Sequence, residues 1–410
     1  MADKQVPELR FKGFTEDWEQ RKIKTIGKTF TGLSGKTKDD FGHGEAKYIP
    51  YTNIFNNPIT NVDQLESIEI DKKQNSVAYG DILFTTSSET PEEVGMSSVW
   101  MYEKENVYLN SFCFGFRPIE KHYPLYLAYL LRSPDMRKKF MLLAQGISRY
   151  NISKNKVLEL AIPLPVISEQ IKIGNTLKNL DDTIALHHHK LELLKQAKQG
   201  FLQQMFPKEG ENVPELRFAN FSEAWEQRKL GENSKLITKG TTPKSKVIDG
   251  KINFIKVENI INGKIVPIQK ISEEEHNAYL KRSILKKDDI LFSIAGTLGR
   301  TALVDESVLP ANVNQALAII RGYKFDTNFL ITILNGRVVS EYIRTNPTVG
   351  AQPNLSLAQV KSLVIDSPVI QEQKKIGNFF KVLDDTITLH QEKLIYLESL
   401  KKAYLQKMFI

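Results

Sequence analysis

A forty-residue stretch, Ile167 to Phe206, returns 203 residues later as Ile370 to Phe409, with 23 of the 40 positions identical. In the first copy Leu177, Leu180, Ile184, Leu191, Leu194, Phe201 and Met205 fall on one 3.5-residue spacing. Phe380, Leu383, Ile387, Leu394, Leu397, Tyr404 and Met408 do the same in the second. That spacing predicts a helix with a narrow apolar seam, the kind that packs on a partner helix. Neither copy contains proline, so each could run unbroken for about 60 Å at about 1.5 Å per residue. The natural partner of one copy is the other. His187, His390, Lys198 and Lys401 sit on the seam, where polar groups can fix register at some cost in stability.

A second repeat precedes the first. Val6 to Ile23 returns as Val213 to Leu230, with 13 of 18 positions identical. Phe11, Phe14 and Trp18 recur as Phe218, Phe221 and Trp225. Their spacing predicts core anchors on a short helical or turn segment. Between the repeats lie two bodies of mixed pattern. Tyr48–Ile54, Gly80–Thr86, Ser97–Tyr102 and Ser111–Arg117 read as strands in the first body. Pro124–Leu143 reads as one or two helices interrupted near Pro134. In the second body Asn253–Ile260, Asp288–Ile294, Thr301–Glu306 and Ala316–Gly322 read as strands, and Phe329–Arg344 as a helix. The bodies match only loosely: Asn53-Ile54 with Asn259-Ile260, Asp81–Phe84 with Asp289–Phe292, Asn110 and Arg117 with Asn314 and Arg321, Asn151–Ser153 with Asn354–Ser356.

The expected organisation is therefore 1–23 opening repeat segment, 24–166 first body, 167–206 central helix, 207–230 linker and second repeat segment, 231–369 second body and 370–410 final helix. Two near-identical frames hold two bodies that share a fold but not a surface. A duplicated enzyme would keep its catalytic residues in both copies. A duplicated reader of two different targets would look like this.

The residues argue against catalysis in this chain. There is no GxxxxGK[ST] phosphate loop and no GxGxxG cradle. Asn57-Pro58-Ile59 and Asn346-Pro347-Thr348 both fail the Asn/Asp-Pro-Pro-Tyr/Phe pattern of amino-methylation. His187-His188-His189 points its rings about 100° apart on a helix and recurs as His390-Gln391-Glu392, so no metal site is expected. The single cysteine, Cys113, excludes an internal disulfide or CxxC site, and a cytoplasmic location is expected. No apolar run approaches the roughly 18 residues that span a membrane. A net charge of +8 is compatible with nucleic acid without requiring it.

The order of these parts resembles the specificity subunit of type I restriction–modification systems, over essentially the whole chain. The residues that carry the likeness are the Trp18-Glu-Gln-Arg-Lys and Trp225-Glu-Gln-Arg-Lys openings and the two Leu-Asp-Asp-Thr-Ile helices. Gly240-Thr-Thr-Pro243, Asp288-Asp-Ile-Leu-Phe292, Gly296-Thr-Leu-Gly299 and Asn354-Leu-Ser356 add to it. The first body departs: Gly32-Leu-Ser-Gly35 replaces the Gly-Thr-Thr-Pro turn, and the Gly-x-x-Gly loop is lost. The resemblance implies an α+β chain, with two mixed α/β target recognition domains separated by two long helices in an antiparallel coiled coil and related by a pseudo-twofold repeat. Each domain would read one half of a bipartite, asymmetric site in double-stranded DNA. Two modification subunits would dock on the frame and bring adenosylmethionine; restriction subunits would add ATP and magnesium. The chain itself would hold no cofactor. A related bipartite system with a fused cutting and methylating partner, or a coiled-coil scaffold that reads no DNA, are the alternatives.

Turns rich in lysine, threonine and amide side chains suit phosphates and base edges. In the first body these are Lys36, Thr37, Lys38, Thr52, Asn53, Ser148, Arg149 and Tyr150. In the second they are Lys239, Thr241, Thr242, Lys244, Lys246, Asn259, Arg300, Gln352 and Asn354.

Overall fold

Each half of the chain closes on itself through its opening segment. Glu19–Lys22 is a strand that pairs antiparallel with Ala161–Leu164, which leads into the first long helix. Glu226–Lys229 pairs in the same way with Val364–Ser367. The Glu-Gln-Arg-Lys stretch is thus extended rather than helical, because a partner strand takes up its backbone hydrogen bonds. The turns before it end on Trp18 and Trp225, which are 1% and 4% exposed and anchor the two cores. The structure, a computed structural model, describes residues 6–244, 250–345 and 354–410.

The chain forms two compact units, 1–187 with 393–410, and 188–392. Each unit therefore takes part of each long helix.

In the first unit a four-stranded antiparallel sheet runs in the order Gly27–Thr31, Cys113–Pro118, Ile82–Thr85, Ser97–Val99. A three-stranded sheet places Phe41–Ile49 between Glu66–Ile68 and a parallel neighbour, Val107–Leu109. Two helices, Pro124–Leu130 and Pro134–Leu142, are separated by Leu131, Arg132 and Ser133, and the Ser133 hydroxyl caps the second. Trp18, Phe84, Phe116, Tyr126 and Phe140 fill the core, and Met408 and Phe409 from the far end of the chain join it.

The second unit repeats this order: Ser234–Lys239, Leu317–Tyr323, Ile290–Ser293, Thr301–Leu303 in one sheet and Gln269–Ile271, Ile252–Ile255, Ala311–Val313 in the other. The single helix expected over Phe329–Arg344 is two, Thr327–Leu334 and Arg337–Thr345. The break falls at Asn335-Gly336, where glycine weakens helix propagation. The strands expected at Tyr48–Ile54 and Asn253–Ile260 stop at Ile49 and Ile255, and helical turns, Tyr51–Asn56 and Val257–Asn259, follow.

The long helices are Ile167–Gln204 and Ile370–Lys407, 38 residues each. In the first unit the end of the later helix lies against the start of the earlier one, with Lys401 bonded to Asp181 at 2.5 Å. In the second unit the ends exchange roles: Lys198 bonds Asp384, and the Phe201 and Phe379 rings meet edge-on at 5.0 Å. The packing is antiparallel, and both seam lysines form cross-helix ion pairs. Gly174 and Gly377 explain the shared Lys-Ile-Gly-Asn: a Cβ there would lie 2.9 Å from Tyr123 and 2.5 Å from the Phe329 nitrogen.

The residues that match between the bodies hold the fold. Arg117 grips the fully buried Asp81 at 2.8 and 2.6 Å, and Arg321 grips Asp289 at 2.6 and 2.5 Å. In the frame Arg10 bonds the buried Glu169 at 2.8 and 2.9 Å, and Arg217 bonds Glu372 at 2.7 and 2.8 Å. Among the described residues no helix is long and apolar enough to cross a membrane.

Candidate nucleic-acid interface

Several turns leave each four-stranded sheet at one shared end. In the first unit Thr31 pairs with Phe114 and Thr85 with Cys113 at that end. The turns after Thr31, after Thr85 and before Cys113 therefore leave the sheet together. The hairpin around Gly146 joins them, because Tyr150–Asn151 pairs antiparallel with Ser87–Ser88. The second unit has the same geometry. Lys239 pairs with Ala318 and Ser293 with Leu317, and Ala295 bridges Asn354.

Two devices repeat at this end. A Cβ on Gly32 would meet the Asn110 carbonyl oxygen at 2.0 Å, and one on Gly240 the Asn314 oxygen at 2.1 Å. The next residue then donates inward in both: Leu33 to the Leu109 carbonyl at 2.7 Å, Thr241 to Val313 at 3.1 Å. The asparagine side chains accept from the turns they begin, Asn110 from the Phe112 amide at 2.9 Å and Asn314 from Ala316 at 3.2 Å. Leu33 is buried in a small core of its own, whereas Thr241 is half-buried and Thr242 is exposed and bonded to Gln315.

The anticipated contact residues divide into three groups. The first stands at the loop end: Ser148 and Arg149 are exposed and Tyr150 is half-buried in the first unit, and Lys239, Thr242 and Asn354 are exposed in the second. Burial pushes the Tyr51 phenol above its ordinary value, and nearby Arg149 pulls against that rise. The Tyr51 hydroxyl donates to the Ser87 carbonyl, which ties the helix bearing the exposed Thr52 to this end.

The second group lies on other turns and makes contacts within the fold, though Lys38 and Lys244 stay exposed. Lys36 bonds Asp71 at 2.9 Å, which raises its pKa. Thr37 donates to Asp40 and caps the short helix Lys38–Asp40, leaving Lys38 exposed. Lys244 lies 4.4 Å from the Tyr279 ring centre, and its amide donates to Glu275.

The third group makes hydrogen bonds to neighbouring turns. Asn53 is 1% exposed; it donates to the Asn61 carbonyl and accepts from the Asn61 amide, at 2.8 and 2.9 Å. Asn259 is 2% exposed, donates to Val266 and accepts from Lys256. Their amides close turns. The Arg300 guanidinium donates to the Val257 and Ile260 carbonyls at 3.3 and 3.2 Å. In the first unit Arg132 binds the carbonyls of Ile54, Phe55 and Asn57 at the equivalent turn, where burial lowers its pKa to about 10. Lys246 and Gln352 lie outside the described residues.

Phe112, Gln315 and Tyr279 are exposed and are not singled out by the sequence reading. Phe112 was hidden by alternation: Phe112, Phe114 and Phe116 look like one buried strand face. The strand begins at Cys113, so Phe112 belongs to the turn and is 62% exposed.

A family model for the type I restriction modification DNA specificity domain matches the chain twice, at residues 15–196 and 222–399. A putative type I restriction enzyme specificity subunit, MjaX of Methanocaldococcus jannaschii, is 26% identical over 94% of this chain and 91% of its own. The EcoBI specificity subunit of Escherichia coli is 25% identical over 63% of this chain and 60% of its own. The crystal structure of the type I system S subunit from M. genitalium has the same fold, with a TM-score of 0.62 at 17% identity, covering 99% of both chains. A doubled fold, a doubled frame and a doubled family match agree, and the chain belongs to the DNA specificity subunits of type I restriction–modification systems, which recognise DNA and leave catalysis to other subunits.

Proposed function

We propose that each loop end reads one half of a bipartite, asymmetric site in double-stranded DNA. The single observation that carries this reading is the contrast between matched and unmatched residues. Asp81, Arg117 and Asn110 keep their bonds in the twin positions Asp289, Arg321 and Asn314. The side chains that leave the same turns differ: Leu33 and Ser34 against Thr241 and Thr242, Ser111 and Phe112 against Gln315 and Ala316. One scaffold with two unlike faces suits two unlike base sequences. Ser148, Arg149 and Tyr150 serve the first half-site, and Thr241, Thr242 and Asn354 the second. Exposed Lys38, Lys239 and Lys244 supply phosphate contacts, which position the protein without reading sequence. The long helices set the non-specific spacer. Two modification subunits bring adenosylmethionine and take up the flipped adenine; restriction subunits bring ATP and magnesium. The complex works in the cytoplasm.

The test is to map modified adenines in a genome that carries this chain and its modification subunit. Inserting four residues into each long helix is expected to lengthen the spacer and leave both half-sites as they were. Altered bases with an unchanged spacer would overturn the reading.

A further inference from the structure

We infer that Phe112 determines specificity in the first half-site by packing against the 5-methyl group of a thymine. This inference rests on the DNA-reading role proposed above. Phe112 sits on the turn before Cys113–Pro118, and its backbone is fully engaged. Its amide donates to the Asn110 side chain at 2.9 Å, and its carbonyl accepts from the Thr86 hydroxyl and amide at 2.8 and 3.2 Å. The Asn110 side-chain nitrogen is itself bound to the Ile49 carbonyl at 2.9 Å. What the turn offers outward is an aromatic ring, 62% exposed, on a locked backbone. Thr86 also accepts from the Ile152 amide at 2.9 Å, which fixes the turn to the strand that carries Tyr150.

The twin turn forms without a ring. Ala316 occupies the same place, with its amide on Asn314 and its carbonyl bonded to the Ile294 amide at 2.9 Å. Beside it stands Gln315, bonded to Thr242. The second turn thus offers amide and hydroxyl groups, and the first an apolar face. In the major groove the apolar feature that distinguishes one base pair from another is the thymine methyl, and phenylalanine is among the side chains that meet it.

The test uses the full chain assembled with its modification subunits, on duplexes carrying the mapped site. Each thymine of the half-site relaxed by Arg149→Ala is replaced in turn by deoxyuridine, which removes only the methyl. One such replacement is expected to weaken wild-type binding about fourfold, the ratio that burying one methyl group gives. Phe112→Ala is expected to bind the thymine and deoxyuridine duplexes equally there and to keep its preferences in the other half-site. The inference falls if no thymine in that half-site shows the effect, or if the effect persists in Phe112→Ala. It also falls if Phe112→Ala loses its modification subunits, since the ring would then be a protein contact. A wild-type complex with no sequence-dependent binding would instead overturn the parent reading.

Discussion

At the scale of single residues, the useful distinction is between side chains that the two halves share and those they do not. Asn53 and Asn259 carry amides, which suit base edges. Both are buried, and both spend their hydrogen bonds on the turns they belong to. A residue kept at matched positions of two bodies with different targets is more simply explained by the fold they share. His122 makes the opposite case. Its place next to Tyr123, whose amide donates to Gln170, corresponds to Phe325 next to Asp326, whose amide donates to Gln373. Phe325 is buried in the core, while both ring nitrogens of His122 are buried with no partner among the described residues. Burial lowers its pKa, and Glu120 and Arg21 pull in opposite directions on the remainder. A base whose folded pKa is depressed binds its proton more readily when unfolded, so stability falls as pH drops below the ordinary value of 6.5. His122→Phe is expected to remove that acid-side loss and to change little at pH 8. Urea unfolding at several pH values measures it, and an unchanged acid limb would refute it.

At the scale of elements, the long helices are held by pairs of very different worth. Lys198 with Asp384 and Lys401 with Asp181 are partly exposed bridges across the seam, and such pairs contribute roughly 0–1 kcal/mol. Arg10 and Arg217 are different, because Glu169 and Glu372 are fully buried at the helix starts. Removing the arginine strands a carboxylate away from water, which costs about 3 kcal/mol or more. Arg217→Ala is therefore expected to lower stability by about 3 kcal/mol, and Lys198→Ala by less than about 1 kcal/mol. Denaturant midpoints of the two variants would show it, and equal shifts would refute it. The opening segments earn their likeness here. They carry the arginine that clamps each helix start and the tryptophan that fills each core.

At the scale of the molecule, the joins between repeats are equivalent. Leu216 donates to the Gln204 carbonyl at 2.8 Å, which fastens the second opening segment to the helix before it. Leu9 donates to the Lys407 carbonyl at the same 2.8 Å, and Lys407 also bonds Glu8 at 2.5 Å. Residues nearly 400 apart in sequence thus make the contact that residues a dozen apart make in the other unit. A permutant opened between Pro207 and Asn212, with Ile410 joined by a short linker to the segment before Val6, is expected to fold with an unchanged circular dichroism spectrum. Loss of the cooperative melt would count against the equivalence.

The sequence by itself determined the doubling, the long helices and their pairing, since a 3.5-residue seam written twice has one economical partner. It also determined three of the four strands in each shared sheet, because alternation and turn residues are local signals, but it did not mark the edge strands Gly27–Thr31 and Ser234–Lys239. Local signals failed at Phe329–Arg344, where a glycine splits the helix, and at Phe112, where alternation ran one residue past the strand. Which polar side chains are exposed and which are bonded within the fold was decided only by the tertiary structure. Asn259 and Lys36 have the right chemistry, but a carbonyl and a carboxylate brought close by the fold engage them. Exposure is set by distant chain segments, and no single stretch of sequence contains it.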